Sequence, residues 1–359
     1  MTRLAALLAA FVVGLPAIAG VARAEVTPQR FRNPFYRLAE SERATRVDRL
    51  LRQASSCVRE ALRLAPSDFH TLCERTRAVR LPVDEASARA GRHRAIAILV
   101  RQALQRRAYL DDALARIGQA LAIDPDNAEL VHADARVLSL WEEPSDLDDC
   151  RVRRRDTEAI AAFQRLAEID ETFAASDVAF QLGLLFTRSH AFEAAASAYQ
   201  RAIDLSFDVR DSAIGYGNLA EVIMLAGDPA RALEYYDRAI KMAQGGRDYA
   251  LVLFGAAVAL DRLGEHDAAL EKAASAVDAS GRSLSVLRAP GVSFEPEYEV
   301  LYYEALGNEA LARSIPETRA LSLESAAKGY REFLDRAEPE NPYRLSAQHD
   351  LDALQAELR

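Results

Sequence analysis

Aromatic residues, glycine, proline and cysteine are all scarce in this sequence. Aromatics make up 7% of 359 residues and include one tryptophan, Trp141. No aromatic platform for stacking bases or sugars therefore stands out. With 16 glycines and 13 prolines, long stretches run free of helix breakers. No G-x-x-x-x-G-K phosphate loop and no G-x-S-x-G elbow occurs, which removes two common enzyme signatures. Basic residues are outnumbered by acidic ones, 45 to 54, for a net charge of −9. Such a chain repels nucleic acid and anionic lipid headgroups. Past the N-terminal region, no apolar run is long enough to span a bilayer.

What is present first is a leader. Residues 1–24 read as a secretory signal, with Arg3 as the positive region and Leu4 to Gly20 as the apolar core. Ala22-Arg23-Ala24 supplies the small residues that signal peptidase needs, so the mature chain is expected to begin at Glu25. An uncleaved membrane anchor is the competing reading. No cysteine follows the apolar core, which argues against a lipid-modified N-terminus. Cleavage would remove Arg3 and Arg23 and no acid, leaving the chain two charges more negative. The expected location is periplasmic or extracellular, with no membrane span after cleavage.

The three cysteines are Cys57, Cys73 and Cys150. Cys57 and Cys73 lie nearly symmetrically about Pro66, which separates two predicted helices. Antiparallel packing there would bring them side by side, so a Cys57–Cys73 disulfide is expected, with two small buried thiols as the alternative. Cys150 is left free or paired between chains.

The strongest pattern is a helical phrase repeated every 37 residues: Ala195, Tyr199, Ala202; Ala232, Tyr236, Ala239; Ala269, Ala273, Ala276. Each follows a Leu-Gly, Leu-Ala or Ala-Ala pair on the preceding helix, at Leu182–Gly183, Leu219–Ala220 and Ala256–Ala257. Gly227 and Gly264 fall at matching turns. A fixed period in this range marks a solenoid of stacked helix pairs. The predicted fold is all-α, an α-solenoid of antiparallel pairs. Its segments are an extended leader over 25–38, degenerate repeat helices over 39–170, three regular units over 171–279, and a loop, last helix pair and capping helix over 280–359. Within the N-terminal part, a helix is predicted from Asp84 to about Arg107, a turn at Tyr109–Asp111, and a second helix from Ala113. Residues 142–156 read as a solvated loop, acidic at Asp146, Asp148 and Asp149 and basic from Arg151 to Arg155, the two runs pairing with each other.

These phrases resemble the tetratricopeptide repeat, whose unit of about 34 residues carries Leu-Gly on its first helix and Ala, an aromatic and Ala on its second. The unit at Leu182, Gly183, Phe186, Ala195, Tyr199 and Ala202 fits well. The period here is three residues longer, and the closing proline is missing from the central units. The resemblance implies a right-handed superhelix and a concave groove lined by the first helix of each pair. Carried over position by position, Asp177, Phe180, Leu184 and Thr187 would face that groove, then Ile214, Asn218, Glu221 and Met224, then Leu251, Phe254, Val258 and Asp261. Some family members grip a C-terminal carboxylate there. Phe180, Leu184, Leu251 and Gly255 occupy the corresponding slots and only Asn218 agrees, so an apolar peptide or amphipathic helix suits the groove better. Coverage of the same residues by the protein's own segments is the alternative.

No catalytic constellation accompanies the repeat. His70, His93, His132, His190, His266 and His349 are scattered, with no partner at metal-ligand spacing, and read as surface or turn residues. The acidic run lacks the glycine and distal glutamate of a calcium loop. Ser325-Ala-Ala-Lys328 matches a bare S-x-x-K pattern without its companion motifs. No metal, cofactor or catalytic residue is expected. The expected role is an exported, non-enzymatic scaffold that binds another envelope protein, with a permanent structural subunit of an envelope or secretion assembly as the alternative.

Overall fold

In the computed structural model, the described residues are 34–359 apart from 65–68, 70–71, 74–75, 77–83, 147–149, 207, 244, 290–291 and 293. The expected signal at 1–24 and most of the leader lie outside them. The described residues hold thirteen α-helices and a single two-stranded sheet. None of these helices is long and apolar enough to cross a membrane. The chain divides into two compact units, residues 1–173 and 174–359.

The first unit contains α1 (Pro34–Leu64), α2 (Glu85–Leu121), α3 (Ala128–Leu140), β1 (Glu142–Asp146), β2 (Arg151–Arg154) and α4 (Asp156–Ile169). Helix α2 begins at Asp84, whose carboxylate accepts from the Ser87 amide. It then runs 37 residues without a break. The turn expected at Tyr109–Asp111 does not form. No glycine or proline lies between Gly91 and Gly118, and two i,i+4 ion pairs, Arg107–Asp111 and Asp112–Arg116, carry the helix through. Leu110, Ala113 and Ile117 are buried against Ala54 and Ala61 of α1. Asn127 caps α3 by accepting from the Leu130 amide at 3.2 Å.

Residues 142–156 are not a bare loop. They form the hairpin β1–β2, with Glu142 opposite Arg154 and Glu143 opposite Arg153. Cross-strand pairs of opposite charge favour that register, and Arg153 binds the Glu143 carboxylate. Of the expected acidic run, Asp146 stands opposite Arg151 in the register, and Asp148 and Asp149 lie outside the described residues. The hairpin is fastened from beneath. Glu142 accepts from the Phe69 amide and lies 3.6 Å from Arg106.

The hairpin also corrects the disulfide assignment. Cys73 is bonded to Cys150, with Cα atoms 5.6 Å apart, and Cys57 is a free, half-buried thiol. Cys150 adopts φ 54° at the end of the hairpin turn. It is buried with Phe69, Cys73 and Ala103. Cys57 instead belongs to the α1 face that packs on Leu110 and Ile117. Symmetry about Pro66 was therefore the wrong guide, because the two thiols belong to different hydrophobic clusters.

The second unit is a stack of antiparallel pairs: α5 (Ala175–Arg188) with α6 (Phe192–Leu205), α7 (Val209–Leu225) with α8 (Pro229–Met242), and α9 (Gly246–Arg262) with α10 (His266–Ala279). The pair α11 (Glu299–Ser314) and α12 (Arg319–Arg336) follows, and α13 (Arg344–Glu357) packs on α12. Every alanine of the 37-residue phrase is buried, as are Tyr199 and Tyr236. The small slots admit those rings. A Cβ at Gly183 would lie 2.6 Å from the Tyr199 ring, and one at Gly255 would lie 2.3 Å from Tyr236. The turns at Gly227 and Gly264 have φ of 95° and 83°, a region that favours glycine.

Candidate functional site

The first helices of the three regular pairs, α5, α7 and α9, carry the residues expected to line a groove. Their helical spacing places each set on one face. The structure divides these residues into two groups. Asp177, Phe180, Leu184, Thr187, Ile214, Asn218, Glu221 and Leu251 are half-buried. Met224, Phe254, Val258 and Asp261 are buried. Phe180 sits edge-on to Tyr199 with ring centres 5.7 Å apart. Thr187 is satisfied by the Gly183 carbonyl at 2.8 Å. The Asn218 amide makes no hydrogen bond among the described residues.

The buried group corrects the expectation of a continuous open groove. At the third unit that face is covered by the protein's own later segments. A Cβ at Gly307 of α11 would lie 3.3 Å from Phe254, so backbone and ring are in close approach. Tyr303 of α11 reaches back to donate to Glu221, which also accepts from Tyr236, each at 2.5 Å. The Tyr343 hydroxyl, at the entry to α13, donates to the Met224 carbonyl. Burial pushes the Glu221 carboxyl above its ordinary value, and the two phenol donors oppose that shift. Burial and the Glu221 charge in turn hold Tyr236 and Tyr303 protonated, so both remain donors.

A second polar group lies deeper. Arg262 and Glu299 form a fully buried ion pair. The guanidinium lies over the Tyr343 ring at 3.8 Å and the Tyr302 ring at 5.0 Å. Aromatic faces therefore supply much of what water would give the charge. Beside it, Tyr302 donates to Asp261 at 2.6 Å, and the other Asp261 oxygen meets His266 Nδ1 at 2.6 Å. His266 does stand at a turn, as first residue of α10, but it is engaged with buried acids. Its Nε2 lies 3.5 Å from Glu309 and its Nδ1 3.6 Å from Asp350. Hydrogen bonds donated to Asp261 and then to Glu309 raise the His266 ring to about 10. Burial, and after it the Asp261 charge, push Asp350 up to about 8. Sequence reasoning missed this group. The 89-residue gap between Asp261 and Asp350 follows no ligand spacing, and the only local signal was Asp261 and His266 flanking the Gly264 turn.

Comparison with known proteins bears on the same helices. Residues 211–280 match the tetratricopeptide repeat family model. That match takes in α7 to α10, the second and third of the 37-residue units. Solved structures similar to this chain include MamA, at 22% identity and a TM-score of 0.40 over 48% of this chain and 89% of that one. PilF of Pseudomonas aeruginosa is 18% identical with a TM-score of 0.43, over 72% and 95% of the two chains. YrrB, described as a tetratricopeptide protein with an unusual peptide-binding site, is 17% identical with a TM-score of 0.37 over 66% and 97%. No curated protein matches the chain. Within the matched segment, Asn218 and Glu221 lie one helical turn apart on α7 and differ in state. Glu221 accepts from two tyrosines at one oxygen, Oε2, and Asn218 makes no side-chain hydrogen bond among the described residues.

Proposed function

We propose that this chain is a non-enzymatic, exported scaffold that binds an extended or helical segment of another envelope protein. The binding face is the half-buried part of the groove, Phe180, Leu184, Thr187, Ile214, Asn218 and Leu251, with Asp177 at its edge. The observation that carries the reading is Asn218. Its amide both donates and accepts, has no partner among the described residues, and stands on a face whose neighbours are apolar. A peptide backbone supplies the complementary pair of groups, and Phe180 and Leu184 supply contact for apolar side chains. The covered third unit limits the face to α5, α7 and the start of α9.

Export is supported by the reading of residues 1–24 and by the Cys73–Cys150 disulfide, a bond that persists in oxidising compartments. The disulfide also weakens the case for a covalently linked structural subunit, because Cys150 is used within the chain.

The test is a crosslinking pull-down from the envelope of the exporting cell, comparing the natural chain with a Phe180→Asp, Asn218→Ala double variant. A partner captured by the first and lost by the second, with both showing the same helical circular dichroism, supports groove binding. Identical partners for both proteins would sink the groove reading and favour a subunit held through its lateral faces.

A further inference from the structure

Asp261, His266 and Asp350 come from three different helices, α9, α10 and α13. They bring one possible ligand atom each to within 4.8 Å of one another. His266 turns Nδ1 toward both acids, 2.6 Å from Asp261 Oδ1 and 3.6 Å from Asp350 Oδ1. The ligands are braced from behind. The second oxygen of Asp261 accepts from Tyr302 at 2.6 Å. The far nitrogen of His266 faces Glu309 at 3.5 Å, and the other Glu309 oxygen accepts from Tyr330 at 2.8 Å. Metal-binding histidines characteristically pass their second ring N–H to a carboxylate, which fixes ring orientation and raises ligand strength. His349 Nδ1 lies 3.3 Å from the same Asp350 Oδ1.

An independent observation points to a cation. Asp350 is only 5% exposed, and its Oδ2 has no hydrogen-bond donor. Leaving a buried carboxylate oxygen unpartnered is costly. The buried guanidinium of Arg262 is committed to Glu299. Three buried acids, Asp261, Glu309 and Asp350, thus converge on one imidazole. The His266 side chain is 31% exposed, which gives an ion a route in from solvent.

We propose that Asp261, His266 and Asp350 form a binding site for a divalent first-row transition cation such as zinc, with Glu309 and Tyr302 as orienting residues. One imidazole nitrogen and two carboxylates suit zinc, cobalt or manganese. Calcium and magnesium call for a shell made wholly of oxygen and are disfavoured. Water would complete the coordination. The ion would tie the closing helix α13 to the turn between α9 and α10, so its role is to staple the end of the second unit.

The experiment uses the purified full chain, stripped with a chelator and titrated with zinc by calorimetry and with cobalt by visible absorption. One ion per chain is expected, with a rise in melting temperature. Asp350→Asn and His266→Gln should each weaken binding by about a hundredfold or more. Glu309→Gln, which touches no metal, should weaken it by about tenfold. If the Asp350 variant fails to fold, X-ray absorption on the zinc-loaded natural chain decides. A shell of oxygen and nitrogen with one imidazole supports the assignment, whereas a thiolate or several imidazoles would place the ion elsewhere and overturn it. No saturable binding of either ion, or binding kept by both ligand variants, also overturns the proposal. The cluster is then held together by protons alone.

Discussion

Glu221 shows how one side chain changes meaning between sequence and structure. On the helical pattern of α7 it is a groove residue. In the fold its Oε2 accepts from the hydroxyls of both Tyr236 and Tyr303. Burial raises its pKa above the ordinary 4.5, the Glu299 charge adds to the rise, and the two phenols and Arg262 oppose it. A carboxyl raised in the folded state contributes stability that is complete below its unfolded value and is lost as pH rises through the folded value. Glu221→Gln keeps an acceptor and removes the charge. We expect the variant to gain stability relative to the natural chain as pH is raised from 4.5 toward neutrality, read by urea unfolding at several pH values. A difference that does not change with pH would contradict this. Glu221→Ala leaves two buried hydroxyls without their acceptor and should cost about 2–3 kcal/mol. Asn218, one turn earlier, has no such partners, and no property of the two residue types alone separates them.

At the scale of elements, the regular helices follow directly from local rules. The alanine–tyrosine–alanine phrase marks α6 and α8, the turns at Gly227 and Gly264 divide α7 from α8 and α9 from α10, and Asp228 caps α8 by accepting from the Arg231 amide at 3.0 Å. Where the sequence misled, the cause was an interaction distant in the chain. The expected break in α2 is absent because Leu110 is buried on α1 and the i,i+4 ion pairs continue. The loop at 142–156 became a hairpin because Glu142 is gripped by Arg106 and by the Phe69 amide, and Cys150 by Cys73. The disulfide spans a sequence separation of 77. Closing a loop of that size restricts the unfolded chain enough to add about 2–4 kcal/mol to folding. Cys150→Ser should therefore lower the stability of the first unit by that amount. Thermal unfolding of the variant should match that of the natural chain under reducing conditions. Equal melting of the variant and the oxidised natural chain would contradict the assignment.

At the scale of the whole molecule, each unit has its own logic. The second is quasi-one-dimensional, each pair resting on the next, so its end needs a cover. The segment from Tyr343 through α13 provides it, burying Tyr343, Ala347, Leu351 and Leu354. A chain ended at residue 338 should lose about 3–6 kcal/mol from the two leucines alone and should open the face around Met224 and Arg262. Urea unfolding and binding of a hydrophobic dye would show both changes, and an unchanged midpoint would mean that the last helix is not a cover. The sequence by itself determined the helix class, the 37-residue period, the alanine–aromatic core of the regular units and the position of the capping helix. Each of these is a matter of residue spacing along one or two neighbouring helices, and periodicity records such spacing directly. The tertiary structure alone decided which cysteines pair, that α2 runs unbroken, which of the predicted groove residues are buried, and that Asp261, His266, Glu309 and Asp350 meet. Most of those outcomes depend on contacts distant in the sequence, among them Cys73 with Cys150, 77 positions apart, and Tyr343 with Met224, 119 apart. No local pattern encodes such contacts, because they are set by how successive pairs stack.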